Sequence, residues 1–247
     1  MINYQHRISQ LILLDSESPI VKGKIEGTSI NATTRLETYI VYCAKALNEL
    51  TSAVDKADFS IDLIRSWPKI ADTVSNFSLA QQLEFTIENY FIRCVSIYDR
   101  ALIFANKLLE LGVADQSIGH MAIVTNENII AYQLADPLKD LKRTCADENL
   151  ERNSIIHHRR YSDEHFDKLS AILKANEISV SAGREPPFDP AEISEATQAL
   201  LSYKADDFTK HLNSVLAALT ELLDVAMAVY TLKRRHHLAL EKIPRDA

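Results

Sequence analysis

Residues 78–112, SLAQQLEFTIENYFIRCVSIYDRALIFANKLLELG, decide the fold class. Apolar side chains recur at Leu83, Ile87, Phe91, Cys94, Tyr98, Ala101, Ala105 and Leu108. Spacings of three and four are the period of one face of an α-helix. Ser78 reads as the N-cap and Gly112 as the residue just past the C-terminus. A stripe sustained over about 30 residues describes a long amphipathic helix with one face buried in a bundle.

The same period extends outward in both directions. From Asn31 to about Lys56 the stripe is Leu36, Ile40, Cys43, Leu47, Leu50 and Val54. A short helix is expected near Ile61 to Arg65, with Pro68 resetting the chain. Asp136-Pro137 gives an N-cap and first-position signal, predicting a helix that continues through residues 150–160. Asp189-Pro190 repeats it after a loop holding Gly183 and Pro186-Pro187. The stripe beyond is Leu201, Ala205, Phe208, Leu212, Val215, Leu219, Leu222, Ala226 and Val229, with a bend foreseen near Lys204 to Asp207. The fold class is therefore all-α: an antiparallel helical bundle of long helices with short accessory helices. Residues 1–30 form the least regular part, an N-terminal extension. ISQLILLD and SPIVKGKIEG within it read as two short strands or an extended arm. The bundle is expected over 31–240, with a C-terminal tail at 241–247.

Composition removes several function classes. The 247 residues are 47% hydrophobic and 25% charged, enough for a sizeable core. Only five are glycine, about 2% against about 7% in average usage. They cannot spell the glycine-rich loops that cradle phosphates, nor the G-x-S-x-G elbow of hydrolases. The cysteines Cys43, Cys94 and Cys145 are far apart and form no C-x-x-C pair, so neither a zinc ribbon nor a disulfide framework is supported. They read as small core hydrophobes. No H-E-x-x-H or Glu-x-x-His pair is present, and adjacent histidines point about 100° apart on a helix. No metal or other cofactor is expected. No apolar run of about 18 residues and no basic-then-apolar N-terminus is visible, so a cytoplasmic location without membrane contact is expected. A net charge of −7 argues against a general nucleic-acid coat, though not against a local basic site.

One segment breaks the bundle pattern: Glu151-Arg152-Asn153-Ser154-Ile155-Ile156-His157-His158-Arg159-Arg160-Tyr161. The helix opening at Pro137 starts with core-like Leu138, Leu141 and Cys145. Continued by threes and fours, that face lands on Asn149, then Arg152 or Asn153, then Ile156. Burying such polar groups unpaired costs about 1–3 kcal/mol each, and more for a charge. They belong to a satisfied network, a subunit interface or a binding cleft. Asn153 and His157, four apart, share a helical face, and Arg160 and Tyr161 extend it. Arg152 and His157 diverge by about 140° on an ideal helix, so the long Arg side chain wraps partly back, the two converge through a bend, or they meet counterparts from a second subunit.

Arg152-Asn153-x-x-x-His157 resembles the R-x4-H signature of the HEPN superfamily, in which a polar residue, often Asn, follows the Arg. The stretch from Glu88 to Gly112, with Tyr98-Asp99-Arg100 at its centre, is similar to the long first bundle helix of that superfamily. The resemblance covers about residues 78–232 in architecture, and its specific content is those three motif residues. It implies an all-α, commonly dimeric domain and, for many members, a metal-independent endoribonuclease whose composite active site forms where two protomers meet. Homodimerisation, RNA as partner, and an antitoxin or defence-system protein as a further partner are likewise implied. One departure stands out. Some toxin members carry R-x4-H-x-Y, which would put tyrosine at position 159; here that residue is Arg159, and Tyr161 stands two places later.

The chemistry asked of these residues is coherent. Cleaving RNA without a metal needs a group to take the 2′-hydroxyl proton and a cation for charge building on the phosphate. His157, of a type that titrates near neutrality, suits general acid–base work. Arg152 offers permanently charged planar donors for phosphate oxygens. Asn153 is placed to fix the imidazole tautomer or hold a phosphate oxygen. His158, Arg159, Arg160 and Tyr161 form the accompanying RNA-binding group. The expected ends are a 2′,3′-cyclic phosphate and a 5′-hydroxyl.

Simpler alternatives stand beside this. Arg152 to His157 also reads as a polar network at a helix contact, with Arg152 pairing Glu84, Glu88 or Asp99. His158 to Arg160, and Lys233-Arg234-Arg235-His236-His237, suit solvated helix ends facing the macrodipole. For the second run a minority reading is another RNA-contacting patch. His6, His120, His165 and His211 are scattered singles, at the surface or satisfied in the core. Tyr90, Phe91 and Tyr98 read as core and not as base-stacking platforms. The rival functions are a catalytically inactive HEPN-like dimerisation or binding module acting with a partner protein, and an acidic four-helix sensor of a small ligand.

Overall fold

A computed structural model describes residues 5–67, 77–145 and 163–242. Helix dominates: α1 (Arg7–Leu13), α2 (Arg35–Arg65), α3 (Leu79–Leu109), α4 (His120–Val124), α5 (Glu127–Ala131), α6 (Ala135–Thr144), α7 (Glu164–Ser181) and α8 (Pro190–Glu241). Strands β1 (Ile25–Glu26) and β2 (Ser29–Ile30) pair antiparallel, Ile25 opposite Ile30. The architecture is the expected all-α bundle. The chain divides into two compact units. One is made of 56–95 and 146–213 with the first two residues, the other of 3–55, 96–145 and 214–247. Helices α2, α3 and α8 each contribute to both units.

The apolar stripes land where their spacing puts them. Every stripe residue of α3 is buried, from Leu83 and Ile87 through Cys94 to Leu108, and so is every one named for α2 and α8. The three cysteines are free thiols in the core, and burial pushes Cys43 up to about 12, so it is inert as a nucleophile. Tyr90, Phe91 and Tyr98 are all buried. In the first unit Tyr90 stacks on Phe208 at 3.9 Å between centroids, with Phe91 edge-on to Phe208 at 5.2 Å.

Capping explains where the helices begin. Ser78 Oγ accepts the Gln81 N–H at 3.3 Å while Gln81 Oε1 accepts the Ser78 N–H at 3.0 Å, a reciprocal capping box at the start of α3. Asp189 Oδ1 accepts from Ala191 N–H at 2.7 Å to open α8. Gly183, at φ +69°, closes α7, with the Arg184 N–H reaching the Ser179 carbonyl at 2.9 Å.

Several boundaries differ from the sequence expectation. ISQLILLD is helical in α1 and not extended, because Ile8 and Ile12 are buried while Gln10, which a strand would place on their face, is exposed. The expected strand character is confined to the hairpin at 25–30. No break precedes Ile61: α2 runs on to Arg65, with Ile61 and Ile64 continuing its buried face. Gly112 is not the residue that ends α3. Glu110 takes the left-handed position at φ +54°, and the Leu111 N–H closes onto the Asn106 carbonyl at 3.1 Å. Asp136-Pro137 does not start α6. Buried Leu134 holds the cap position, and Pro137 sits in the first turn, where its missing N–H has no helical partner to lose. This helix ends at Thr144, and the residues 150–160 expected to continue it lie outside the described residues. Helix α8 is unbroken through Lys204 to Asp207. It also holds an 18-residue window of mean hydropathy 1.7, long and apolar enough to cross a membrane by length and composition, with 44% of that window buried inside the protein.

In the second unit buried carboxylates tie the N-terminal segment down. Asp15 accepts from Arg234 Nε at 2.6 Å and Nη2 at 2.9 Å, and from Tyr230 Oη at 2.8 Å. Burial pushes this carboxyl up, and the guanidinium, the Glu17 N–H and the phenol outweigh it, leaving it below its ordinary value. Glu37 is 2% exposed and accepts from Lys24 Nζ at 2.6 Å and from the Thr33 N–H at 2.8 Å. Burial opposes its ionisation, but these donors hold it at about 2.

Candidate functional site

Arg152, Asn153, His157, His158, Arg159, Arg160 and Tyr161 all lie outside the described residues. Their chain neighbours on either side are described. Before the segment, α6 carries buried Leu138 and Leu141 and is followed by its C-cap, buried Cys145. After it, Asp163 caps α7: its Oδ1 accepts the His165 and Phe166 N–H groups, each at 2.9 Å. Its Oδ2 lies 2.8 Å from Lys204 Nζ, whose side chain is only 11% exposed. A nearly buried ammonium needs a carboxylate, so this pair fixes the register at which the chain enters α7, two residues after Tyr161.

The histidines read as scattered singles are placed with partners. His6 accepts the Ile8 N–H at Nδ1, 3.2 Å, and sets Nε2 3.1 Å from Asp224 Oδ1. In the first unit His211 Nδ1 lies 2.8 Å from Tyr90 Oη, which is also 3.1 Å from the Phe208 carbonyl. The carbonyl can only accept, so the phenol donates to it, and a ring that carries its proton on Nδ1 can donate to the phenol oxygen in turn. Cys94 Sγ is 3.7 Å from the same nitrogen. His165 meets the Tyr203 ring edge-on.

In the second unit His120 Nδ1 lies 2.5 Å from Tyr98 Oη. Tyr98 is 5% exposed and burial pushes its phenol pKa up, so the hydroxyl stays protonated. A neutral ring that accepts the phenol proton at Nδ1 carries its own proton on Nε2. Burial lowers the His120 pKa, and the nearby charges of Lys142 and Lys139 lower it further. Sequence reasoning missed this association. Its one signal was a tyrosine on a core stripe, whose polar tip must find a partner.

The cationic run at the end of α8 is not a solvated helix end. Lys233 Nζ lies 2.8 Å from Glu110 Oε2 and His237 Nε2 lies 3.1 Å from it, while Arg234 is committed to Asp15. His237 also stacks on Tyr39 at 4.8 Å. Only Arg235 and His236 of the run are exposed. These contacts are made by a Glu110 whose backbone is left-handed, at φ +54°. They also keep its carboxyl below the ordinary range against the opposing effect of burial.

Among the described residues no group of three or more His, Cys, Asp or Glu side chains is arranged to hold a metal ion. A cleft of about 660 Å³ lies in the second unit beside α4, α5 and α6, lined in part by Val124, Ile130, Pro137, Lys139 and Val225. No curated protein and no solved structure matches the chain. The model of a family described as Cthe2314-like HEPN matches residues 39–227, which takes in α3, the Arg152–His157 segment and most of α8. On that match, over three quarters of its length, the chain belongs to the HEPN superfamily.

Proposed function

We propose that this protein is a metal-independent endoribonuclease of HEPN type. The observation that carries the reading is the family match over 39–227, within which Arg152-Asn153-x-x-x-His157 keeps the spacing R-x4-H. The superfamily is associated with RNA, and many of its members are RNases. In the reaction the 2′-hydroxyl oxygen attacks the adjacent phosphorus and its proton passes to His157. The bond to the 5′-oxygen breaks, and that oxygen takes a proton to leave as a 5′-hydroxyl. Arg152 holds the phosphate oxygens as their charge builds, and Asn153 orients the ring or the phosphate. His158, Arg159, Arg160 and Tyr161 line the path of the RNA. The active unit is a homodimer with the motifs of both protomers in one cleft, acting in the cytoplasm in a toxin–antitoxin or antiviral defence setting.

The test is cleavage of several RNA classes in EDTA by wild type, His157→Ala and Arg152→Ala, with end-group analysis. Loss of about 10²–10⁴-fold in each variant, with cyclic-phosphate and 5′-hydroxyl ends from wild type, supports the assignment. Variants that cleave as fast as wild type end it. A folded protein that cleaves nothing moves the function to the binding module.

A further inference from the structure

A cleft of about 430 Å³ lies within the first unit, where the first turns of α8 meet α7, the start of α3 and Trp67 just beyond α2. Its floor is buried: Trp67 is 5% exposed, Leu201 3% and Thr197 7%. Ser194 and Gln198 stand exposed at the rim. Asn176 also lines it and clamps the loop before α8. Its amide accepts the Phe188 N–H at 3.1 Å and donates to the Phe188 carbonyl at 3.0 Å. By threes and fours, Ser194, Thr197, Gln198 and Leu201 share the face of α8 that Ala205 and Phe208 keep apolar further on.

Thr197 is the anomaly on that face. Helical threonines elsewhere in this chain spend the hydroxyl on their own helix. Thr38, Thr86, Thr209, Thr220 and Thr231 each donate to the carbonyl four residues back, at 2.6–2.9 Å. Thr197 does not, and its enclosed Oγ1 has no hydrogen-bond partner among the described residues. A polar group left in that state opposes folding. Among the described residues that line the cleft none is charged. Neutral hydroxyls, an amide that both donates and accepts, and an indole wall suit an uncharged flat ring with donors and acceptors on its edge. A phosphate or carboxylate would find no cation there.

We propose that this cleft binds a nucleobase, its ring against Trp67 and its edge bonded to Thr197 and Gln198. The choice of a base among rings of that chemistry rests on the endoribonuclease reading. Two sources offer one, an unpaired base of the RNA strand or a free nucleoside. In the filled cleft the Thr197 side chain turns about Cα–Cβ, between the two rotamers open to a helical threonine. Its hydroxyl then gains the partner that the empty cleft denies it.

Trp67 is the chain's one tryptophan, so its fluorescence reports on this cleft. Full-length wild type, Thr197→Val, Gln198→Ala and Thr231→Val are titrated with adenosine, guanosine, cytidine and uridine. The same proteins are titrated with single-stranded oligoribonucleotides methylated at every 2′-oxygen, which cannot be cleaved, and cleavage of unmodified RNA is run beside them. Wild type is expected to show a saturable change with one base preferred. Thr197→Val weakens affinity about tenfold, yet melts no lower than wild type because an orphaned hydroxyl is gone. Gln198→Ala changes which base binds best. Thr231→Val, whose hydroxyl served its own helix, binds as wild type does. A response to nucleosides supports the cleft with a free ligand, and a response to oligonucleotides alone supports it with a base of the strand. No response to either, or an unchanged affinity in Thr197→Val, overturns the cleft, and RNA cleavage in the same samples leaves the nuclease reading standing. Base binding by a protein that cleaves no RNA supports the cleft and overturns that reading.

Discussion

Helix α3 carries two tyrosine–histidine pairs eight residues apart, and they end differently. At Tyr90 the ring is stacked on Phe208 and edged by Phe91, the phenol proton goes to a backbone carbonyl, and His211 is shared with the Cys94 thiol. At Tyr98 the phenol has the imidazole as partner, and the far ring nitrogen is left with none among the described residues. The first pair is woven into an aromatic core. The second has one partner for its phenol and a partly exposed ring. The same two residue types therefore serve packing in one place and presentation in the other. What separates them is the number of partners each tip has, not the identity of the tip.

The largest effect that tests this contrast is Phe208→Ala. It removes the face on which Tyr90 lies and opens a cavity in a 2% exposed position, at an expected cost of about 3–5 kcal/mol. Denaturant titration should show it as a shift in midpoint, and a loss below 1 kcal/mol would mean that the stacked core is not what holds this pair. A smaller difference is expected between Tyr90→Phe and Tyr98→Phe. The first removes a hydroxyl bonded both to the Phe208 carbonyl, which keeps its helical donor, and to His211, at about 0.5–1.5 kcal/mol for each bond lost. The second leaves a partly exposed imidazole nitrogen that water can reach, and should cost visibly less. Equal losses would erase the distinction drawn here. The smallest effect is on pH. His120 has its pKa lowered in the folded state, so its contribution is complete above the ordinary histidine value near 6.5 and fades as pH falls through the lowered one. The melting temperature of wild type relative to His120→Gln should accordingly drop as the buffer is taken from pH 7.5 toward 5. A constant difference would contradict the lowered value.

The long helices were legible because their signal is local. Leu83 to Leu108 and Leu201 to Val229 repeat every three or four residues whatever surrounds them, and Ser78 and Asp189 cap with groups one turn away. Partners far along the chain were not legible. Lys233 and Arg234 look like a solvated end until Glu110 and Asp15, more than a hundred residues earlier, are set beside them. His120 looks solitary until the bundle brings Tyr98 to it. Local rules also lost where burial overruled them. Leu134 takes the start of α6 ahead of Asp136 because its side chain belongs in the core. Glu110 takes a left-handed backbone two residues before Gly112, and its carboxylate meets Lys233 and His237. The R-x4-H segment stood out in the sequence by the opposite logic, as polar residues continuing an apolar face.

The carboxylate of Asp15 has a consequence for inheritance as distinct from folding. The similarity to the family begins at Tyr39, so what this chain shares with its relatives starts after the first helix and the hairpin. A truncation made there would strip the Arg234 guanidinium and the Tyr230 hydroxyl of their common acceptor and uncover the sites of Ile8 and Ile12. It would also delete Glu37 together with Lys24 and Thr33. The portion shared across the family is therefore shorter than the portion that closes its own interior, and the difference is a leading segment of fewer than forty residues that acts as a clasp on the last helix.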